Sequence, residues 1–192
     1  MKTIFNNNIN EIVIEKSKFI TYISQVNSPS DAMNQIEKIR KEHPQATHHC
    51  FAYRIDENNL RQSDDGEPSG TAGKPILKII EHNDLIYTLI VVVRYYGGTK
   101  LGTGGLIRAY QSSAKKIVET SNIGSYIKYK IFSFQVKYIN QIKIEQILRK
   151  KSILVLNQVY MPNYVTLTIQ IEEISIDEFK QIYSHLFEEE NV

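Results

Sequence analysis

Apolar and polar residues interleave from Ile12 to Val26 (IVIEKSKFITYISQV), and β-branched and aromatic side chains dominate the run. That pattern predicts one or two strands. Ser28-Pro29-Ser30-Asp31 then supplies a helix start, with Pro29 or Ser30 at the entry, and Ala32, Met33, Ile36 and Ile39 follow at helical spacing up to His43-Pro44. Thr47 to Ile55 alternates as a strand does, with Cys50 and Ala52 on one side and His49, Phe51 and Tyr53 on the other. Asp56 to Pro75 reads as a long polar loop dense in turn formers, after which Pro75 opens a short helix. Ile86 to Tyr96 is a strongly apolar strand. Leu106 to Thr120 is a helix whose core stripe is expected at Ile107, Tyr110, Ala114 and Ile117.

Ser121 to Ser125 looks like a linker, and beyond it the pattern restarts. Tyr126 to Tyr138 predicts a strand, Gln141 to Lys151 a helix, Ile153 to Tyr160 a strand, Tyr164 to Glu172 a strand, and Ile176 to Glu189 a helix. A βαββα order on so short a segment suits a small sandwich with helices on one face of an antiparallel sheet. The expectation is therefore an α+β protein of two domains, residues 1–123 and 124–192.

Five of the chain's nine glycines fall between the apolar strand and the following helix, in VVVRYYGGTKLGTGGLIRAY (91–110). A P-loop is excluded, because Thr103 and Gly104 stand where its Lys and hydroxyl are needed, and a dinucleotide fingerprint fails for want of its third glycine. What remains is a glycine corner at a helix start, whose unpaired amides and dipole attract anions. Arg94, Lys100 and Arg108 bracket it. On the helix, Arg108, Ser112, Lys115 and Glu119 share a polar face.

Charge sharpens this picture. The net charge is only +2, yet residues 94–151 carry +10, while 1–93 carry −2 and 152–192 carry −6. Clustered cations steer anionic partners; alternatively, the basic and acidic segments pair with each other in the fold. Both readings stay open at this level. No apolar run is long enough to span a bilayer, the N-terminus has no continuous apolar core, and the single cysteine, Cys50, excludes an internal disulfide. These features place the chain in the cytoplasm, away from membranes.

Catalytic chemistry finds little support. Asp64, Asp65 and Glu67 crowd into one loop, SDDGEPSGTAGKP (63–75), where a magnesium site competes with an ordinary acidic turn. His48 and Cys50 share a strand face but make only two ligands, too few for zinc, and a structural cysteine is favoured over a Cys–His nucleophile. No catalytic residue, metal site or cofactor is assigned.

SKF (17–19), HHC (48–50), SDDGEPSGTAGKP (63–75) and VVVRYYGGTKLGTGGL (91–106), in this order and spacing, resemble the YigZ/IMPACT family. The resemblance implies a first domain of the type shared by a ribosomal small-subunit protein and domain IV of elongation factor G, and a ferredoxin-like second domain. It also implies work in translation. Eukaryotic relatives regulate initiation under amino-acid stress through an additional N-terminal domain; this chain starts almost at its SKF strand and resembles the short bacterial form, for which nucleic-acid or ribosome binding is the usual inference. The family supplies no catalytic residues. It points to Arg94, Tyr95, Tyr96, Gly97, Gly98, Gly102, Gly104 and Gly105 as a candidate surface, with Asp64, Asp65, Gly66, Glu67 and Pro68 as a candidate ligand loop. Lys100, Arg108 and Lys115 join the surface on charge alone.

The leading expectation is an RNA- or ribosome-binding protein that modulates translation, with Tyr95 and Tyr96 as stacking surfaces and Arg94, Lys100 and Arg108 as phosphate contacts. Core packing competes for the tyrosines, since on an apolar strand at least one of the two should point inward. Two alternatives remain: an enzyme or sensor for a small phosphorylated ligand, holding a nucleotide at the glycines and magnesium at Asp64 and Asp65; and a regulator whose acidic C-terminal domain docks a basic protein of the translation machinery.

Overall fold

The computed structural model describes residues 1–189. It divides into two compact units, Met1–Tyr126 and the remainder from Ile127. In the first unit the elements are β1 (Lys2–Ile4), β2 (Asn8–Ile14), β3 (Ser17–Gln25), α1 (Pro29–Glu42), β4 (His48–Arg54), β5 (Leu60–Ser63), α2 (Gly73–His82), β6 (Thr88–Tyr95), α3 (Gly102–Glu119) and β7 (Ile123–Ser125).

Five of these strands form one antiparallel sheet in the order β2-β3-β6-β4-β5. Alternation along the central strands sorts the side chains between two layers. Phe19, Ile23, Cys50, Ala52, Ile90 and Val92 face α2 and α3, and Ile20, Phe51, Tyr53, Leu89, Val91 and Val93 face α1. β6, the middle strand, is therefore buried on both faces, which is why its sequence reads as a continuous apolar run. α1 starts where expected, with the Ser28 hydroxyl accepting from the Asp31 amide and Pro29 in its first turn. Outside the sheet, β1 pairs with β7 and carries the chain start to the end of the unit.

The second unit contains β8 (Tyr129–Lys137), α4 (Tyr138–Lys150), β9 (Leu154–Tyr160), β10 (Tyr164–Glu172), α5 (Ile176–Tyr183) and a short β11 (Glu188–Glu189). Its antiparallel sheet has the order β11-β8-β10-β9. Phe134, Val136, Val165, Leu167 and Ile169 on one sheet face pack with Ile144 and Leu148 of α4 and Phe179 of α5.

Four expectations change. The polar stretch after Asp56 is not all loop, because Leu60–Ser63 pairs with β4 as an edge strand whose exposed side chains hide the alternation. α3 begins at Gly102, a turn before Leu106, so Gly104 and Gly105 are helical while Gly102 enters the helix in a left-handed conformation. Glycine costs ~1 kcal/mol against alanine in a helix, and the packing of Leu101 and Leu106 on the core offsets it. Its inward stripe is Leu106, Ala109, Tyr110, Ser113, Ala114, Ile117 and Val118; Ile107 lies outside. The last helix ends at Tyr183, after which a 3₁₀ turn inserts Leu186 and Phe187 into the core and the chain pairs with β8.

A polar core beneath a candidate nucleic-acid interface

β6 is apolar up to Val93, and its next residue is Arg94, only 5% exposed. The register places Arg94 between Phe19 of β3 and His48 of β4. A buried cation needs a matched partner. One guanidinium nitrogen donates to Glu67 Oε1 at 2.6 Å and another to the Ser17 hydroxyl at 3.3 Å. The guanidinium also lies 5.6 Å from the centroids of both the Phe19 and Tyr96 rings. Tyr110, fully buried on α3, donates its hydroxyl to the same Glu67 oxygen at 2.7 Å. The Cys50 sulfur lies 3.3 Å from that hydroxyl and 3.0 Å from the Asp64 carbonyl. Burial pushes the Cys50 thiol and the Tyr110 phenol up from their ordinary values, so both keep their protons. Tyr110 is thereby fixed as a donor, and Cys50 is a packed thiol rather than a thiolate nucleophile.

The acidic loop is held by its own carboxylates. Asp64 accepts from the amides of Gly70, Ala72 and Gly73, which caps the start of α2. Asp65 accepts from Arg40 at 2.6 Å and from the His49 amide at 2.6 Å. Burial alone would raise the Asp65 carboxyl; the Arg40 and His49 hydrogen bonds outweigh it and hold the group below its usual range. His48 Nδ1 donates to the Asp65 carbonyl at 2.8 Å, which turns Nε2 to within 3.8 Å of Glu67. Gly66 takes φ +88° between these two residues, a conformation that suits glycine. Pro68 follows, exposed, and its carbonyl accepts from Thr71. The aspartates expected as magnesium ligands thus cap a helix and tie a loop to α1 and β4.

The glycine corner lies above this core. Gly97 passes so close to the Lys16–Ser17 backbone that a Cβ would fall on the Lys16 carbonyl, and its amide donates to Ser17. Gly98 and Gly102 take φ +85° and +69°. Beyond them, Lys100, Gly105, Arg108 and Ser112, with Ile14 at the end of β2 and Glu15 of the β2–β3 turn, line an open groove of about 480 Å³. Among the described residues, neither Lys100 nor Arg108 has a carboxylate within ion-pair distance, and both are exposed. Gly104 is exposed beside Arg108. Lys115, on the same helix, pairs with Glu119 at 3.7 Å.

The expected surface is therefore split. Arg94 is not a phosphate contact, because its charge is buried and matched by Glu67. Tyr95 is half-buried, its hydroxyl bonded to His43 at 2.9 Å, and Tyr96 is exposed but lies against the Arg94 guanidinium. Lys100, Gly102, Gly104, Gly105, Arg108 and Lys115 remain at the surface. Ser17, Arg40, His48 and Tyr110 belong to the network and were not assigned to a site from sequence. Tyr110 fell on a core stripe, and a polar partner for its hydroxyl leaves no periodic signal. The charge asymmetry also divides. In the second unit Lys128 and Lys130 pair with Glu173, Lys137 with Glu188, and Lys151 with Glu178, so basic and acidic segments neutralise each other there.

Ser17, His48, Cys50, Glu67, Arg94 and Gly97 come from four distant strings and meet at one point. Residues 15–118, which contain all four strings, match the Impact N-terminal domain. The chain belongs to the IMPACT family. It is 40% identical to IMPACT family member YvyE of Bacillus subtilis over 178 residues, covering 92% of this chain and 82% of that one. It is 35% identical to IMPACT family member YigZ of Escherichia coli over 170 residues, covering 86% and 83%. A crystal structure described as that of a hypothetical protein superposes with a TM-score of 0.68 at 30% identity, covering 99% of this chain and 97% of that one.

Proposed function

We propose that this IMPACT-family chain is a cytoplasmic RNA-binding protein that acts on ribosomes to modulate translation. The observation that carries the proposal is the pair of exposed cations without carboxylate partners among the described residues, Lys100 and Arg108, beside the backbone amides at the start of α3. Phosphate backbones are recognised by such combinations of side-chain cations and helix-terminal amides. The translational role of the family's eukaryotic members and the ribosomal-protein and elongation-factor resemblance of the first unit favour the same machinery. A magnesium–nucleotide enzyme is less supported, since Asp64 and Asp65 are engaged by amides and Arg40.

Co-sedimentation with ribosomes at low and moderate salt tests the proposal. Wild-type protein is expected in the ribosomal pellet at low salt, and Lys100→Glu/Arg108→Glu protein in the supernatant. Arg94 is left intact, because reversing it would unfold the core rather than probe the surface. Equal pelleting of a folded double variant would sink the assignment of the site.

A further inference from the structure

The face around α3 extends past the glycine corner. α2 packs beside α3 in the same layer and presents Lys74, Lys78 and His82 to solvent, one residue per turn, with Glu81 the one exposed acid on the helix. Between the two helices runs a second groove of about 550 Å³, walled by Lys78, His82 and Asn83 on one side and by Gln111, Lys115 and Glu119 on the other. α3 is thus a ridge with a cation-bearing groove on each flank, and its crest carries the exposed Thr103, Ile107, Gln111 and Ser112. Each groove also holds one acid, Glu15 or Glu119, so cations outnumber acids in both.

We infer that this ridge binds double-helical RNA, with α3 lying along the shallow minor groove, the Lys100/Arg108 flank on one phosphate backbone and the Lys74/Lys78 flank on the other. The inference rests on the RNA-binding proposal and names the RNA it would take. A helix with its side chains is about 10–12 Å across, and the A-form minor groove is wide, shallow and read through 2′-hydroxyls and phosphates. Hydroxyl and amide side chains on the crest suit the 2′-hydroxyls. Single-stranded RNA needs exposed aromatic platforms on which bases stack, and among the described residues α2 and α3 expose no Phe, Tyr or Trp. Tyr110 is buried, Tyr95 is held by His43, and Tyr96 covers Arg94. A protein partner would need an apolar centre, yet Ile107 is the only exposed large apolar side chain on α2 and α3 among the described residues.

The test compares a labelled RNA hairpin with a stem of about 16 base pairs and an unpaired strand of equal length, by anisotropy across a salt series. Wild-type protein is expected to bind the stem at least tenfold more tightly than the strand. Lys74→Gln/Lys78→Gln protein, shown folded by its thermal melt, should lose about 0.9 from the log–log salt slope for each cation removed, and Lys78→Arg should keep the wild-type slope. Equal or tighter binding of the unpaired strand overturns the inference while leaving RNA binding intact. So does an unchanged slope in the α2 variant. Failure to bind either RNA at low salt overturns both the inference and the proposal beneath it.

Discussion

Removing the Glu67 carboxylate leaves the Arg94 guanidinium buried and unmatched. Both side chains are nearly inaccessible, at 6% for Arg94 and 4% for Glu67, and their contact is 2.6 Å. Breaking a buried pair from one side costs about 3–5 kcal/mol, whereas replacing both partners with apolar groups of similar volume is often neutral. Glu67→Ala also deprives Tyr110 of its acceptor at 2.7 Å, which adds about 1–3 kcal/mol. Glu67→Ala is therefore expected to cost about 4–8 kcal/mol, close to the whole stability of many domains. Glu67→Leu combined with Arg94→Met should cost less than the sum of the two single changes, with a coupling of about 2–3 kcal/mol. Urea unfolding of the four proteins followed by circular dichroism measures this cycle. Additivity within about 0.5 kcal/mol would show that the two charges do not depend on each other, and the account of the polar core would be wrong.

Gly97→Ala should destabilise by about 2–3 kcal/mol, because its methyl would overlap the Lys16 carbonyl at the β3–β6 junction; a urea midpoint equal to wild type would refute this. Asp64→Ala removes the acceptor of three amides at the start of α2. It should cost about 1–3 kcal/mol and speed hydrogen exchange at Gly70, Ala72 and Gly73 first. Stability should fall with acidification in two stages. Burial, and then the charge of Arg40, hold the His49 pKa below its ordinary value, so its contribution is complete above the unfolded pKa of about 6.5 and is lost as pH falls toward the folded value. Asp65 is also depressed, so its contribution is complete above about 3.9 and is lost below. Urea midpoints across pH check both, and an Asp65→Asn protein that keeps the lower stage would contradict the assignment.

Period and turn chemistry made most elements legible. The alternation at Cys50–Tyr53 assigned each side chain to the correct sheet face, and Ser28-Pro29 marked the start of α1, because burial and capping act locally. β5 was hidden, since an exposed edge strand has no apolar face to display. The glycine string announced a corner but not its purpose. Gly97 is there because a backbone passes beneath it, and that backbone belongs to residues 80 positions earlier. Arg94 shows the limit most clearly: a lone cation ending an apolar strand reads as an exposed tip, and only the fold brings Glu67 to it.

β1 pairs with β7 through Lys2–Ser125, Thr3–Gly124 and Ile4–Ile123, and the Phe5 amide donates to the Asn122 carbonyl. During synthesis this clasp cannot close until β7 has left the ribosome, about 120 residues after β1. At about 5–20 residues per second, Ile4, a fully buried side chain, waits for about 6–24 s beside an incomplete layer. The clasp also brings the two ends of the first unit side by side. A circularly permuted version of that unit, opened at the exposed Glu57–Asn59 turn, would need only a short joining segment, and the nascent chain would then carry both clasp strands together.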